Sequence, residues 1–269
     1  MNNAIIKRIM FHAGIFNTGF CKFGWVSDRL LDCAAKKRIP ENAQTVIMAV
    51  FPYRVKKERP QNISRYAAVA DYHKVCGDYL SRAIEALKKE YPENRFEAFV
   101  DNSPIPEVYA ASAAGLGVVG DNGLLITPRY GSFVFIGAIV CDLKIECENG
   151  YTECMHCGFC RNACPVHLEK RDCLSATSQK KGELTFDEAE RLRANNIIWG
   201  CDICAEVCPF NRVTDYTNIQ EFIMSYRDSY TIDEDIKNRA YEWRGKGTVQ
   251  RNYQLAINDV ASQNTYNAN

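Results

Sequence analysis

Cys154-Met155-His156-Cys157-Gly158-Phe159-Cys160-Arg161-Asn162-Ala163-Cys164-Pro165, followed by Cys201-Asp202-Ile203-Cys204-Ala205-Glu206-Val207-Cys208-Pro209, decides how the second half of this chain folds. The first run places three cysteines at two-residue gaps and a fourth three residues on, before a proline. The second run repeats only the later part of that pattern. Such spacing lets three thiolates grip one [4Fe–4S] cube while the fourth crosses to another. Cys173 lies between the runs and completes the second set. The predicted ligands are Cys154, Cys157, Cys160 and Cys208 for one cluster, and Cys164, Cys173, Cys201 and Cys204 for the other. A zinc site or a disulfide framework is the competing reading. Zinc takes four ligands, and gives no reason for the third in-phase cysteine or for two Cys-Pro endings. The spacing predicts a protein that moves electrons.

The rest of the composition sets limits. The chain has 269 residues, 46% of them hydrophobic, with 33 basic and 33 acidic side chains. That is enough apolar matter for a core, and a net charge of zero provides no global field toward nucleic acid. The opening MNNAIIKRIMFHAG has neither a long apolar h-region nor a twin arginine. No apolar run approaches the ~20 residues that span a bilayer. A cytoplasmic protein without membrane association is expected. Thirteen cysteines then point to metal ligation under reducing conditions. Of those outside the cluster spacing, Cys21, Cys33, Cys76 and Cys141 read as buried small apolar residues, and Cys147 as exposed.

Along the chain, helical and strand-like patterns mix, which predicts an α+β protein. Ile5, Ile6, Ile9 and Met10 form a helix face, and Thr45–Phe51 reads as a buried strand ending at Pro52. Ser64 reads as the cap of a long helix carrying Val69, Tyr72, Cys76, Leu80, Ile84 and Leu87. Phe96–Val100 reads as a strand that delivers Asp101, and Pro106–Ala114 as a helix stopped by Gly115. Leu124–Thr127 and Ser132–Val140 read as a β-hairpin about the 128–131 turn. Gly115, Gly117 and Gly120 have GxGxxG spacing without the βαβ context of a dinucleotide site; Gly115 reads better as a helix stop, and Gly117 and Gly120 as allowing close backbone approach to a flat cofactor. Lys144–Glu153 reads as a linker, and Thr248–Ser262 as a last helix. The expected domains are 1–143, 144–215 and 216–269.

Six blocks then occur in one order. They are Ser64-Arg65-Tyr66-Ala67, Asp71-Tyr72-His73-Lys74, Val100-Asp101-Asn102-Ser103-Pro104, Ala114–Asn122, Gly131–Gly137 and Gly200–Asn211. Together with the cysteine spacing they closely resemble the epoxyqueuosine reductases, relatives of the reductive dehalogenases. The likeness runs from about Ile5 to Asn211. It implies a nitroreductase-like α/β domain that binds cobalamin base-off, followed by a ferredoxin-like double-cluster domain. Asp101 matches the aspartate over cobalt, and Ser64, Leu125, Pro128, Ile136 and Ser175 match places lining the corrin. His73 then reads as a helix or pocket residue rather than a cobalt ligand.

The implied activity is reduction of epoxyqueuosine in tRNA by a monomer fed from a low-potential donor such as a ferredoxin or flavodoxin. Asp101, raised in pKa by an apolar pocket, would stay protonated and act as general acid. Without the family likeness, Asp101 reads as an Asx-turn before Pro104. Departures from the family pattern are expected to weaken tRNA binding. The chain ends soon after the second cysteine run, lacking a helical-repeat region. The stretch between Phe23 and Thr45 and the connection between Cys164 and Cys173 are short. Asp121 stands where a lysine is usual. A corrinoid reductase of small molecules and a corrinoid-reactivating electron carrier remain the alternative readings.

Overall fold

The computed structural model describes residues 3–147 and 153–266, the last of them (258–266) by backbone alone. Most of the expected Lys144–Glu153 linker (148–152) lies outside the described residues. Two compact units emerge, and they are interleaved in sequence. One comprises Met1–Pro52, Tyr72–His156 and Val213–Tyr216; the other comprises Tyr53–Asp71, Cys157–Arg212 and Thr217–Asn269. A linear reading divides the chain at 143 and 215 and misses the transfer of Tyr53–Asp71 to the cysteine-rich unit. Among the described residues no helix is long and apolar enough to cross a membrane.

The first unit contains α1 (Asn3–His12), β1 (Thr18–Lys22), β2 (Thr45–Pro52), α2 (Tyr72–Glu90), β3 (Phe96–Val100), α3 (Glu107–Ala113), β4 (Val118–Val119), β5 (Leu125–Ile126) and β6 (Val134–Cys141). Its main sheet runs β1-β2-β6-β3, antiparallel throughout. β2 is buried along its whole length, which is why Thr45–Pro52 is continuously apolar. Strand alternation assigns the two faces. On one, Gly137 lies so close to Leu80 of α2 that an added Cβ would stand 2.9 Å from Cδ1. On the other, Val46, Met48, Val50, Ala138 and Val140 pack with Ala110, Ala111, Ala113 and Ala114. These alanines bring α3 close enough that a Cβ at Gly19 would meet the Ala114 carbonyl at 2.2 Å. The expected helix over 106–114, the strand over 96–100 and the apolar face of α1 are all present.

Three local expectations are corrected. The long helix begins at Tyr72, not after Ser64. Its buried residues Val75, Cys76, Leu80, Ala83 and Leu87 keep the helical period, whereas Ser64 lies on a turn closed by Ala67 N–H to the Ser64 carbonyl. The hairpin does not form either. Thr127 and Gly131 close a tight turn, but β5 pairs with β4 while β6 joins the main sheet. A turn signal says that the chain reverses, not that its two arms pair. Finally, Gly117 is required by the protein's own backbone, since a Cβ there would meet the Ile126 carbonyl at 2.4 Å. No flat cofactor is needed to explain it.

The second unit holds α4 (Phe159–Ala163), α5 (Leu174–Ser178), α6 (Phe186–Ala194), α7 (Ile203–Glu206), α8 (Gln220–Met224) and α9 (Lys246–Tyr266). Ile63 forms a parallel bridge with Trp199; Ser64 N–H donates to the Trp199 carbonyl and Ile198 N–H to that of Asn62, both at 2.8 Å. Around this bridge Ile63, Ala67, Ala68, Ile198, Trp199, Tyr230, Tyr241 and Val249 make one apolar core. α6 opens with a Thr185–Glu188 capping box, which satisfies its first amides. Fully buried Asn252 of α9 donates from Nδ2 to the carbonyls of Ser178 and Ile198, each at 2.8 Å. It thereby fastens the last helix to the chain entering Cys201.

Gly200 has φ +70°, and a Cβ there would stand 2.1 Å from Ser64 Oγ and 2.7 Å from the Tyr66 ring. Gly200→Ala should destabilise the cluster-loaded protein by about 2 kcal/mol or more, through left-handed strain and the clash together. Ser64→Gly in the same background removes the Ser64 contact but neither the Tyr66 contact nor the strain, so denaturant midpoints should recover only in part.

Candidate functional site

The structure brings the second set of cysteines together. Burial pushes the Cys201 thiol up to about 11 and the Cys204 thiol up to about 12. The charges of Cys164 and Cys173 raise both further, and Cys201 also raises Cys204. Four half-buried thiols, of which Cys164 and Cys173 oppose the ionisation of Cys201 and Cys204, make a donor set that cationic iron would hold as thiolates, which is the chemistry of a [4Fe–4S] cluster. Their backbone supply is local: Cys173 stands immediately before α5, Cys204 lies on α7, and Gly200 turns the chain into Cys201.

The first set is placed by similar short elements. Gly158, at φ 74°, opens α4, which carries Cys160. Cys208 is buried just before the Pro209–Asn211 turn. Cys154 belongs to the sheet-containing unit, where its thiol and the ligand atoms of Asp121 and His156 lie within 4.8 Å of one another. His156 Nδ1 is 2.7 Å from Asp121 Oδ1. Asp121 thus ties the loop bearing Cys154 to the turn after β4.

The remaining cysteines behave as packing residues. Cys21, Cys76 and Cys141 are buried, and burial pushes the Cys21 and Cys141 thiols up to about 12. Cys33 is only half-buried, and Cys147 is half-buried rather than exposed, its sulfur held by the Ile145 carbonyl.

A buried polar group buttresses the cluster unit. Asp202 accepts from Arg65 N–H at 2.6 Å, and Arg65 Nε donates to Glu206 Oε1 at 2.5 Å. Burial holds the Asp202 carboxyl up at about 6.

Asp101 stands where β3 ends. Its φ of 59° is one that Asp tolerates better than most residues. The turn closes through its backbone carbonyl, which accepts from Ser103 N–H at 2.6 Å. The carboxylate is therefore left for other partners, unlike in an Asx-turn. His73 Nε2 lies 3.1 Å from Asp101 Oδ2, and the Tyr72 hydroxyl donates to the same carboxylate. Tyr72 is stacked on Phe135 of β6, with ring centroids 4.3 Å apart and planes 7° from parallel. The side chain of Asp101 is 59% exposed.

These contacts reverse the expected electrostatics. The His73 hydrogen bond holds the Asp101 carboxyl below its ordinary range, outweighing desolvation. The raised acid of this site is Glu107, pushed up to about 8 by burial and by the Asp101 charge. Sequence reading missed Glu107 because an acidic first-turn residue is ordinary on a helix. His73 sits in the first turn of α2 and is engaged by Asp101, as a helix and pocket residue.

Of the residues implied to line a corrin, Leu125 and Ile136 lie in one apolar cluster on the α3 face, the first buried and the second half-exposed. Pro128 is exposed on the neighbouring turn. Ser64 and Ser175 belong to the other unit. Ser64 Oγ is buried with no hydrogen-bond partner, and Ser175 offers its carbonyl to Ser178 Oγ at 2.8 Å.

An antiparallel sheet between helices and a convergent cysteine quartet define an iron–sulfur protein. Residues 153–211 match the 4Fe-4S double cluster binding domain, so two [4Fe–4S] clusters are its cofactors. Residues 34–102 match "Epoxyqueuosine reductase QueG, DUF1730". The epoxyqueuosine reductase of Lactococcus garvieae is 31% identical over 248 residues, spanning 82% of this chain and 70% of that protein. Epoxyqueuosine reductase from Streptococcus thermophilus has the same fold, with a TM-score of 0.80 at 26% identity, covering 96% of this chain and 81% of that one. An epoxyqueuosine reductase with an epoxyqueuosine-modified tRNA stem loop shares the fold at TM-score 0.76 and 23% identity, covering 94% and 80%. The chain belongs to the epoxyqueuosine reductase family.

Anaerobic reconstitution should load about eight iron per chain, falling to about four in Cys204→Ser. Cys76→Ser, altering a buried thiol of α2, should leave the iron content unchanged.

Proposed function

We propose that this protein reduces epoxyqueuosine to queuosine in tRNA, as a cytoplasmic monomer. Electrons arrive singly from a low-potential donor, such as a ferredoxin or flavodoxin, through the iron–sulfur domain. The observation that carries this reading is Asp101. It is presented on an exposed turn within the segment 34–102 matched to the family's own domain, and is held by Tyr72 and His73.

The family implies cobalamin as a further cofactor. Ser64, Asp101, Leu125, Pro128, Ile136 and Ser175 would hold it. When bound, cobalamin supplies a low-potential metal centre able to pass reducing equivalents to a carbon–oxygen bond. Two observations fit such a guest: the apolar cluster at Leu125 and Ile136 leaves part of its edge open, and His73 is spent on Asp101 rather than offered to a metal.

The residues of the chain then divide the work. Tyr72 and His73 fix the orientation of the Asp101 carboxyl. Asp101, reached by solvent before substrate arrives, takes up a proton and delivers it to the oxygen leaving the substrate. A substrate covering the turn would desolvate Asp101, shifting its balance toward the protonated form. Reduction of a small molecule by the same groups is the second reading, favoured by a net charge of zero and by acidic Asp121 beside the cluster loop.

Asp101→Asn should keep both clusters and cofactor binding yet lose about 10²–10⁴-fold in turnover, because an amide cannot donate that proton. The comparison to run is epoxyqueuosine-containing tRNA against a free analogue under a low-potential reductant. Conversion of the analogue alone moves the reading to a small-molecule reductase. Conversion of neither, with Asp101→Asn matching wild type in electron transfer, leaves an electron carrier. Affinity for tRNA should fall steeply with added salt, because releasing counterions from the phosphates gains less free energy as bulk salt rises.

A further inference from the structure

Glu107 opens α3 beneath the turn that carries Asp101. Its carboxylate accepts from the Asp101 backbone N–H and from the Ser103 hydroxyl, while Oε1 is buried without a hydrogen-bond partner. The groups acting on it electrostatically are Asp101 and His73. α3 packs against β1, β2, β4, β5 and β6. Of these, β2, β4, β5 and β6 carry no acidic or basic side chain other than the Cys141 thiol. Lys22 of β1 lies over the Trp25 ring, and Arg29 over the Tyr109 ring of α3 itself. A buried carboxyl with one oxygen unpaired and an anion for a neighbour keeps its proton.

We propose that Glu107 is the positioning residue that reloads Asp101 with a proton between the two proton deliveries that epoxide removal needs. The inference rests on the reductase reading above. Converting an epoxide to an alkene and water breaks both carbon–oxygen bonds and forms one carbon–carbon π bond. It consumes two electrons, supplied singly by the low-potential donor, and two protons, and the oxygen leaves as water. Asp101 collects the first proton from solvent. With substrate over the turn the second must come from within, and Glu107 is the acid stored there. After product leaves, Glu107 recovers its proton from solvent by way of exposed Asp101.

The sign of the linkage gives a readout independent of activity. The Glu107 carboxyl rises from 4.5 to about 8 on folding, so the folded state holds a proton that the unfolded chain gives up. This contribution to stability is full below pH 4.5 and is lost as pH rises to about 8. In cluster-loaded protein, the wild-type denaturation midpoint should therefore drop across that window, and Glu107→Gln should flatten the drop. Turnover of Glu107→Gln should fall at least about 10-fold at unchanged KM, with part of it restored in Glu107→Asp. Wild-type turnover should decline above pH about 8 as the store empties, a limb absent from Glu107→Gln.

An unchanged pH dependence of stability in Glu107→Gln, with clusters intact, overturns the proposal. So does wild-type turnover in that variant with the alkaline limb retained. If wild type converts no epoxide at all, the reductase reading and this inference fall together. That outcome is recognisable because the wild type itself is inactive.

Discussion

Cys201 and Cys204, held at the entrance of α7 beside Cys164 and Cys173, resist ionisation unless a cation holds them. Burial pushes the Cys201 and Cys204 thiols up, and the charges of Cys164 and Cys173 raise both further. Much of the second unit answers that constraint. Gly200 takes a left-handed turn to bring Cys201 in, and Ser64 fills the space that glycine leaves. Arg65, Asp202 and Glu206 lock the backbone around the ligands through buried polar bonds, and Asn252 braces the same stretch from the last helix. Iron binding is thus coupled to the folding of a region with little regular secondary structure of its own.

What was legible in the sequence was local or chemical. β2 declared itself because a strand buried on both faces must be apolar throughout, and α2 because its buried residues keep the helical period. The cysteines were legible because cluster chemistry dictates their spacing. Ser64 was misread as a cap because its partner, Gly200, lies more than a hundred residues away and leaves no local trace. The 128–131 turn was read as a hairpin because turn residues encode reversal, while pairing is decided by the sheet. The Tyr53–Asp71 segment was assigned to the wrong neighbour for the same reason.

The proton chemistry was half legible. Asp101 was marked by the family resemblance, since by itself it reads as an Asx-turn, and its environment was inverted. His73, 28 residues earlier in the chain, meets it from the first turn of α2 and stabilises its charge. The carboxyl whose pKa burial raises lies instead on the next helix. Two carboxyls driven in opposite directions by unlike surroundings are a recurring device for separating donor and store. A single sequence shows both residues without showing which is which.

The bridge between Ile63 and Trp199 has a consequence for biosynthesis. A ribosome emits the chain from its N-terminus at ~5–20 residues per second, so Tyr53–Asp71 emerges long before the cysteine runs that it will pack against. Its pairing must wait for residues 198–200, and the brace from Asn252 comes later still. Through that interval Ile63, Ala67 and Ala68 have none of their eventual covering. The second set of cysteines, completed by Cys201 and Cys204, can close on iron only after most of the chain has emerged.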